Sequence, residues 1–189
     1  MQIPSARLPL AIIRALLPSL LAALAWASVA HADLGAYLQL TIAGDPVPGG
    51  VISAGHEGTI RVRSVSFAGF SPVNAAGTVL GSQSRPVTFL MEIDRSAPVL
   101  LAAWSNNALV DEATFEFYGS GGGGGEFHLM TLTLNDARVA SYAFTSSDSL
   151  DPELANRPAT VLVSLTYVTA QLTHEPSSSA SAINWQPSP

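Results

Sequence analysis

Residues 87–104 read Val87-Thr88-Phe89-Leu90-Met91-Glu92-Ile93-Asp94-Arg95-Ser96-Ala97-Pro98-Val99-Leu100-Leu101-Ala102-Ala103-Trp104, and within them the apolar period changes. Val87, Phe89, Met91 and Ile93 recur at every second position, the spacing that turns one face of a β-strand toward a core. From Ala97 the spacing becomes i, i+3, i+4, i+7 through Leu100, Leu101 and Trp104, one face of an α-helix. Ser96 stands at the N-cap position, and Pro98 falls in the first turn, where its missing N–H is harmless. Asn106 and Asn107 close the element. A strand followed at once by a short helix is predicted, the helix packing on a sheet through Leu100, Leu101 and Trp104.

Both flanks of this stretch read as strands and turns. Ala36, Leu38, Leu40 and Ile42 alternate with Tyr37, Gln39 and Thr41, which predicts a strand. Gly44-Asp45-Pro46 and Pro48-Gly49-Gly50 then punctuate a loop running to about Gly58. In residues 59–70, Ile60, Val62, Ser64 and Ser66 are expected on one face and Arg61, Arg63, Val65 and Phe67 on the other. Burying an unpaired arginine is costly, so solvent or a partner subunit is expected on at least one of these faces. A second loop spans residues 71–85. Beyond the helix, Ala113, Phe115 and Phe117 mark a strand ending in glycines, and residues 127–134 return from the turn. The apolar positions move from Phe127 and Leu129 to Met130, Leu132 and Leu134, which predicts a β-bulge between Leu129 and Met130. Residues 139–144 read as a further strand, residues 160–173 as a long final strand, and residues 176–189 as a Ser/Pro-rich tail containing Trp185. Many strands, one helix and no βαβ alternation make the fold all-β, a two-sheet β-barrel or sandwich with one short lateral α-helix.

Composition narrows what such a domain does. The chain has 189 residues, 48% of them hydrophobic and 12% charged, enough for one core and poor in the charges that keep a surface solitary. Net charge is −6 and all 8 basic residues are arginine, so no basic stripe forms for nucleic acid. Zero cysteines exclude a disulfide framework, a thiolate metal site and a cysteine nucleophile. Residues 1–32 carry Arg7 and Arg14, an apolar run over residues 15–29, and Ala30-His31-Ala32 before Asp33. That order is a secretory signal peptide with cleavage between Ala32 and Asp33, the run being short for a membrane anchor and holding Pro18. Residues 33–175 are then the folded domain, exported to the periplasm or the outside, with no membrane association after cleavage.

Particular stretches resemble the haemolysin-coregulated protein (Hcp) family, the tube subunits of bacterial type VI secretion. Arg95-Ser96-Ala97-Pro98-Val99-Leu100-Leu101-Ala102-Ala103 is similar to that family's helix start, a basic residue, Ser, a small residue and Pro before an aliphatic run. Val65-Ser66-Phe67-Ala68-Gly69 resembles its strand with Ser between large apolar residues. Residues 132–142, Leu-Thr-Leu-Asn-Asp-Ala-Arg-Val-Ala-Ser-Tyr, resemble its bulged strand, and Asn184-Trp185 sits where the family has a near-terminal Trp. The resemblance implies six copies closing into a ring, rings stacking into a tube, and effector proteins carried in the lumen. It also implies that Val62, Ser64 and Ser66 face the lumen, with Arg61 and Arg63 turned away toward acidic groups and, with Val79 and Leu80, at subunit interfaces. The signal peptide motivates an alternative, an exported Hcp-like domain that binds a partner outside any type VI machine.

Catalytic patterns find no support. His56-Glu57 and His174-Glu175 lack the second histidine of a helical zinc motif and read as polar loop or strand residues. Gly119, Gly121 and Gly124 satisfy G-x-G-x-x-G, but a strand follows them where a phosphate site needs a helix. Asp148, Asp151 and Glu153 do not match a calcium loop, and Pro152 interrupts them. With no lysine to act as a base, neither enzymatic activity nor a cofactor or metal is expected.

Overall fold

The computed structural model describes residues 35–120, 125–146 and 158–185. The signal segment with Ala30, Ala32 and Asp33, the acids Asp148, Asp151 and Glu153, and residues 121–124 lie outside these. Among the described residues the strands are β1 (Gly35–Ile42), β2 (Asp45–Pro46), β3 (Ile60–Ser66), β4 (Gly69–Phe70), β5 (Gln83–Ser84) and β6 (Val87–Glu92). Helix α1 (Ala97–Ser105) follows, then β7 (Leu109–Ser120), β8 (Glu126–Thr145), β9 (Thr160–Thr166), β10 (Thr169–His174) and β11 (Ser179–Asn184). The strands β8, β7, β1, β3, β6 and β9 pair in that order, all antiparallel, and β9 closes back on β8. The result is a barrel without a lateral edge at its closure, which removes an aggregation-prone border.

Alternation builds the interior. Leu38, Phe89, Met91, Phe115, Leu132, Leu134, Val163 and Leu165 are essentially inaccessible and form one cluster. At its centre Phe89 meets Phe115 edge to face, centroids 5.3 Å apart. The bulge expected near Leu129 is present: Phe117 opposes Met130 and Tyr118 opposes His128, leaving Leu129 as the extra residue.

Four elements differ from the sequence reading. Residues 139–144 are not a separate strand, because β8 runs unbroken from Glu126 to Thr145, with Asn135, Ala137 and Arg138 all paired to β7. The long final strand is two, β9 and β10, laid consecutively along one edge of β8 and interrupted where Tyr167 turns inward. Part of the tail is structural, since Ser179–Asn184 pairs in full register with β10 and Trp185 packs edge-on against Tyr167, centroids 5.0 Å apart. The segment after β3 is an arm in which β4 pairs β5 and a tight turn is held by Asn74, whose Oδ1 accepts N–H bonds from Ala76 and Thr78.

Helix α1 occupies the expected residues but is rotated about its axis. Its buried residues are Ala97, Leu100 and Ala103, whereas Leu101 is 44% and Trp104 46% exposed. Ser96 takes the N-cap position with helical backbone angles, and its hydroxyl does not cap. Asp94 instead orders the turn leading into the helix: Oδ1 accepts from the Ser96 N–H at 2.8 Å and from the Ser96 hydroxyl, and its main-chain carbonyl accepts the Ala97 N–H.

Candidate functional site

The outward face of the barrel along β3, β6, β9 and the end of β8 is a wall of short, mostly uncharged side chains. Val87, Phe89 and Met91 of β6 and Val161, Val163 and Leu165 of β9 point into the core, so the residues between them point out. Register aligns two rows across four strands, Ser64–Leu90–Leu162–Ala143 and Ser66–Thr88–Ser164–Ser141. The Thr88 and Ser164 hydroxyls are 3.0 Å apart and hydrogen-bonded. At the margin Arg63 donates to Glu92 Oε1 from Nε at 2.9 Å and from a terminal nitrogen at 2.5 Å.

The expected faces of β3 need correction. Val62 opposes Met91 while Ser64 opposes Leu90, so Arg63 is an extra residue and the alternation slips there by one. Ile60 and Val62 are in the core, Val62 being 4% exposed, and after the bulge Val65 and Phe67 take over the inward side. Val62 therefore cannot share a face with Ser64 and Ser66. Arg61 and Arg63 do share their exposed side, opposite to the sequence expectation. Val79 and Leu80 lie on the arm, 60% and 63% exposed beside exposed Val73. Thr88, Leu90, Leu162, Ser164, Ser141 and Ala143 were not singled out from sequence, although the alternation of β6 and β9 already marks four of them as outward.

A second cluster joins the loop of residues 47–58 to the barrel. The loop is fixed at its start by Asp94 Oδ2, which accepts the Gly50 N–H at 2.6 Å, and by Arg95 Nε, which donates to the Gly49 carbonyl at 2.6 Å. An open cavity of about 270 Å³ lies beside it, lined by Ile52, Arg61, Glu92 and Asp94 among others. At the far end of the loop the His56 ring stacks on Tyr37 at 3.8 Å and meets Tyr118 edge-on at 4.6 Å. Tyr118 stacks in turn on His128 at 4.7 Å and donates its hydroxyl to Glu116 at 3.2 Å. Burial, and then the Glu116 carboxylate, push the Tyr118 phenol up to about 12.

Neither His-Glu pair converges on a common point. Glu57 accepts the Gly55 N–H while His56 reaches Glu126; His174 Nδ1 lies 2.7 Å from the Ser177 hydroxyl while Glu175 accepts from Thr131. Among the described residues no three His, Asp or Glu side chains come together to hold a metal ion. No described helix is long and apolar enough to cross a membrane.

The molecule is thus a barrel with one short flanking helix, an arm between its third and sixth strands and a mostly uncharged outer wall. A protein-family model described as the type VI secretion system effector Hcp matches residues 37–174. The chain belongs to the Hcp family. It is 24% identical over 140 residues to the Major exported protein of Pseudomonas aeruginosa, covering 73% of this chain and 81% of that protein. The Hcp1 structure from E. coli EAEC 042 superposes with a TM-score of 0.72 at 22% identity, covering 81% of this chain and 99% of the other. The secreted protein Hcp3 from Pseudomonas aeruginosa gives 0.65 at 20% identity, covering 82% and 99%. At these identities the two structures establish the shared fold, and the family match places the chain among type VI secretion system proteins.

Proposed function

We propose that this Hcp protein is a structural, non-catalytic subunit whose copies close into a six-membered ring, and that rings stack into a tube with cargo proteins against the Ser64–Ser66 wall. The family match over residues 37–174 carries the reading. Supporting it is a wall whose short hydroxyl and aliphatic side chains leave room for a protein to slide past. The exposed arm also supports it, because a closed ring requires a head-to-tail contact between unlike surfaces, and Val79 and Leu80 offer an apolar one. Export is proposed to remove residues 1–32, so that N-terminal sequencing of the exported protein begins at Asp33.

Native mass spectrometry of the exported protein tests the ring. A six-copy mass is expected, and a monomer overturns the proposal. Leu80→Asp is expected to shift the population toward monomer without loss of folding, the side chain being on the surface. Ser66→Gln is expected to keep the six-copy mass while obstructing cargo; a Ser66→Gln protein that falls apart instead places the wall in a subunit contact. The Ala30-x-Ala32 signal favours a second reading, an exported binding domain working outside a type VI machine, and a monomeric exported protein is its expected result.

A further inference from the structure

Most strand edges of this chain are guarded against pairing with another chain. The barrel strands close on one another, β2 (Asp45–Pro46) carries an acid and a proline, and β4 and β5 are two residues long each. Strand β11 is the exception. On one side Ser179–Asn184 pairs with β10 over all six residues, and on the other no described strand pairs with it. Every residue is exposed, and Ser-Ala-Ser-Ala-Ile-Asn holds no charge, no proline and no bulge, the devices that keep one edge from joining another. We propose that β11 docks the β11 of a second copy, the two strands pairing antiparallel about a two-fold axis so that the sheet runs on from one chain into the other.

The edge is held ready for this. In an antiparallel strand alternate residues turn both N–H and C=O away from the neighbour, so β11 presents backbone donors and acceptors along its outer side. Both of its ends are fixed. The turn before it is held by Ser177, whose hydroxyl lies 2.7 Å from His174 Nδ1 and 2.8 Å from the Ser179 hydroxyl. After it, Trp185 donates its N–H to the Val168 carbonyl at 2.8 Å and packs against Tyr167. Little order is lost when a second strand arrives.

The character of the edge selects its occupant. A foreign peptide added to a sheet gains specificity from pockets for its alternate side chains. β11 has little to build pockets from: Ala180 and Ala182 lie beside Thr173 and Gln171 on one face, and Ser179, Ser181 and Ile183 lie on the other. Such an edge fits one that is equally flat and neutral, and a second β11 meets both conditions. With a net charge of −6 two copies repel overall, and contact through an uncharged strand adds nothing to that repulsion. A strand paired antiparallel with itself satisfies both copies through one set of bonds. The contact ends at two partners, so it is distinct from the head-to-tail contact of a ring and does not depend on the ring.

Copy-to-copy distances in the exported protein test this. The chain has no cysteine, so Ala180→Cys takes a single nitroxide label. A head-to-tail contact sets equivalent residues a whole subunit apart, about 30 Å or more, whereas paired β11 strands bring the labels within about 20 Å. One strand pair is a small contact, so the measurement is made at about 100 µM protein, where the short separation is expected. A continuous sheet keeps its faces, which puts Ala182 of both copies on the same side of the join. Adding Ala182→Lys, or adding Ala182→Glu, is expected to cut the short-separation fraction about tenfold through like charges, and an equimolar mixture of the two to restore it. Both substitutions are on the surface and are expected to melt with the parent. Absence of the short separation overturns the proposal, as does its survival in either charged variant or a mixture that fails to restore it. Native mass spectrometry of the same samples separates this from the ring: six copies without the short separation keep the ring and overturn the strand contact, and pairs with the short separation do the reverse.

Discussion

Leu100→Asp is expected to abolish soluble folding, while Leu101→Asp, one residue on, is expected to melt close to the parent. Leu100 has no exposed surface and sits in the core cluster with Ala97 and Ala103, whereas Leu101 is 44% exposed. Truncating a buried leucine to alanine costs about 2–5 kcal/mol, and an unpaired carboxylate in the same place costs more, against a total of roughly 5–15 kcal/mol for a domain. A surface substitution stays within about 0.5 kcal/mol. The small side chains of Ala97 and Ala103 on either side of Leu100 let the helix backbone come close to the barrel, and this is what selects the buried stripe. Urea denaturation followed by circular dichroism checks the pair. Equal sensitivity at the two positions means that α1 is seated on the stripe read from the sequence, through Leu101 and Trp104.

That contrast shows where the sequence was legible. Period-two alternation located β1, β6 and β7 because large apolar residues mark every second position there, and the shift from Leu129 to Met130 exposed the β8 bulge for the same reason. At Arg63 the equivalent slip is silent. Ser64 and Ser66 are small and exposed, so nothing apolar marks the change of face, and Val62 was assigned to the wrong side. Strand β11, Ser-Ala-Ser-Ala-Ile-Asn, is exposed along its whole length and is held by its ladder to β10, a nonlocal pairing that composition does not reveal. Asp136 takes a positive backbone angle (φ 50) between the two stretches read as separate strands, yet the pairing of β7 on one side and β10 on the other keeps β8 continuous. The helix phase failed for a related cause: Ala97, Leu100, Leu101 and Trp104 are as periodic as the stripe that is buried, and only the shape of the barrel distinguishes them. The outer wall was half legible, through Ser64 and Ser66, while the stack on His56 left no signal because its partners lie on three other elements.

Gly49→Ala is expected to be the most damaging substitution in the loop of residues 47–58, through close approach of backbone to backbone. A Cβ added at Gly49 falls 1.9 Å from the Thr59 carbonyl oxygen, 2.1 Å from its carbon and 2.4 Å from the Ile60 nitrogen. None of these is the end of a flexible side chain that can swing aside. The Gly49 N–H donates to the Gly58 carbonyl at 2.7 Å, the Val51 N–H to the Thr59 carbonyl at 3.1 Å, and the Gly58 N–H to the Val51 carbonyl at 2.9 Å. A methyl group therefore prises this small ladder apart or shifts Ile60, whose side chain is fully buried at the start of β3. Overpacking of this kind costs about 1–3 kcal/mol where neighbours can adjust, and the rigid setting here puts the expected loss at about 3 kcal/mol or more. Gly58→Ala is the matched comparison: its φ of +76 strains an alanine, yet nothing lies within 4 Å of the new carbon, so a loss of about 1–2 kcal/mol is expected. Urea midpoints of the two variants decide it. If Gly49→Ala unfolds with the parent, the loop does not lie against Thr59 and Ile60.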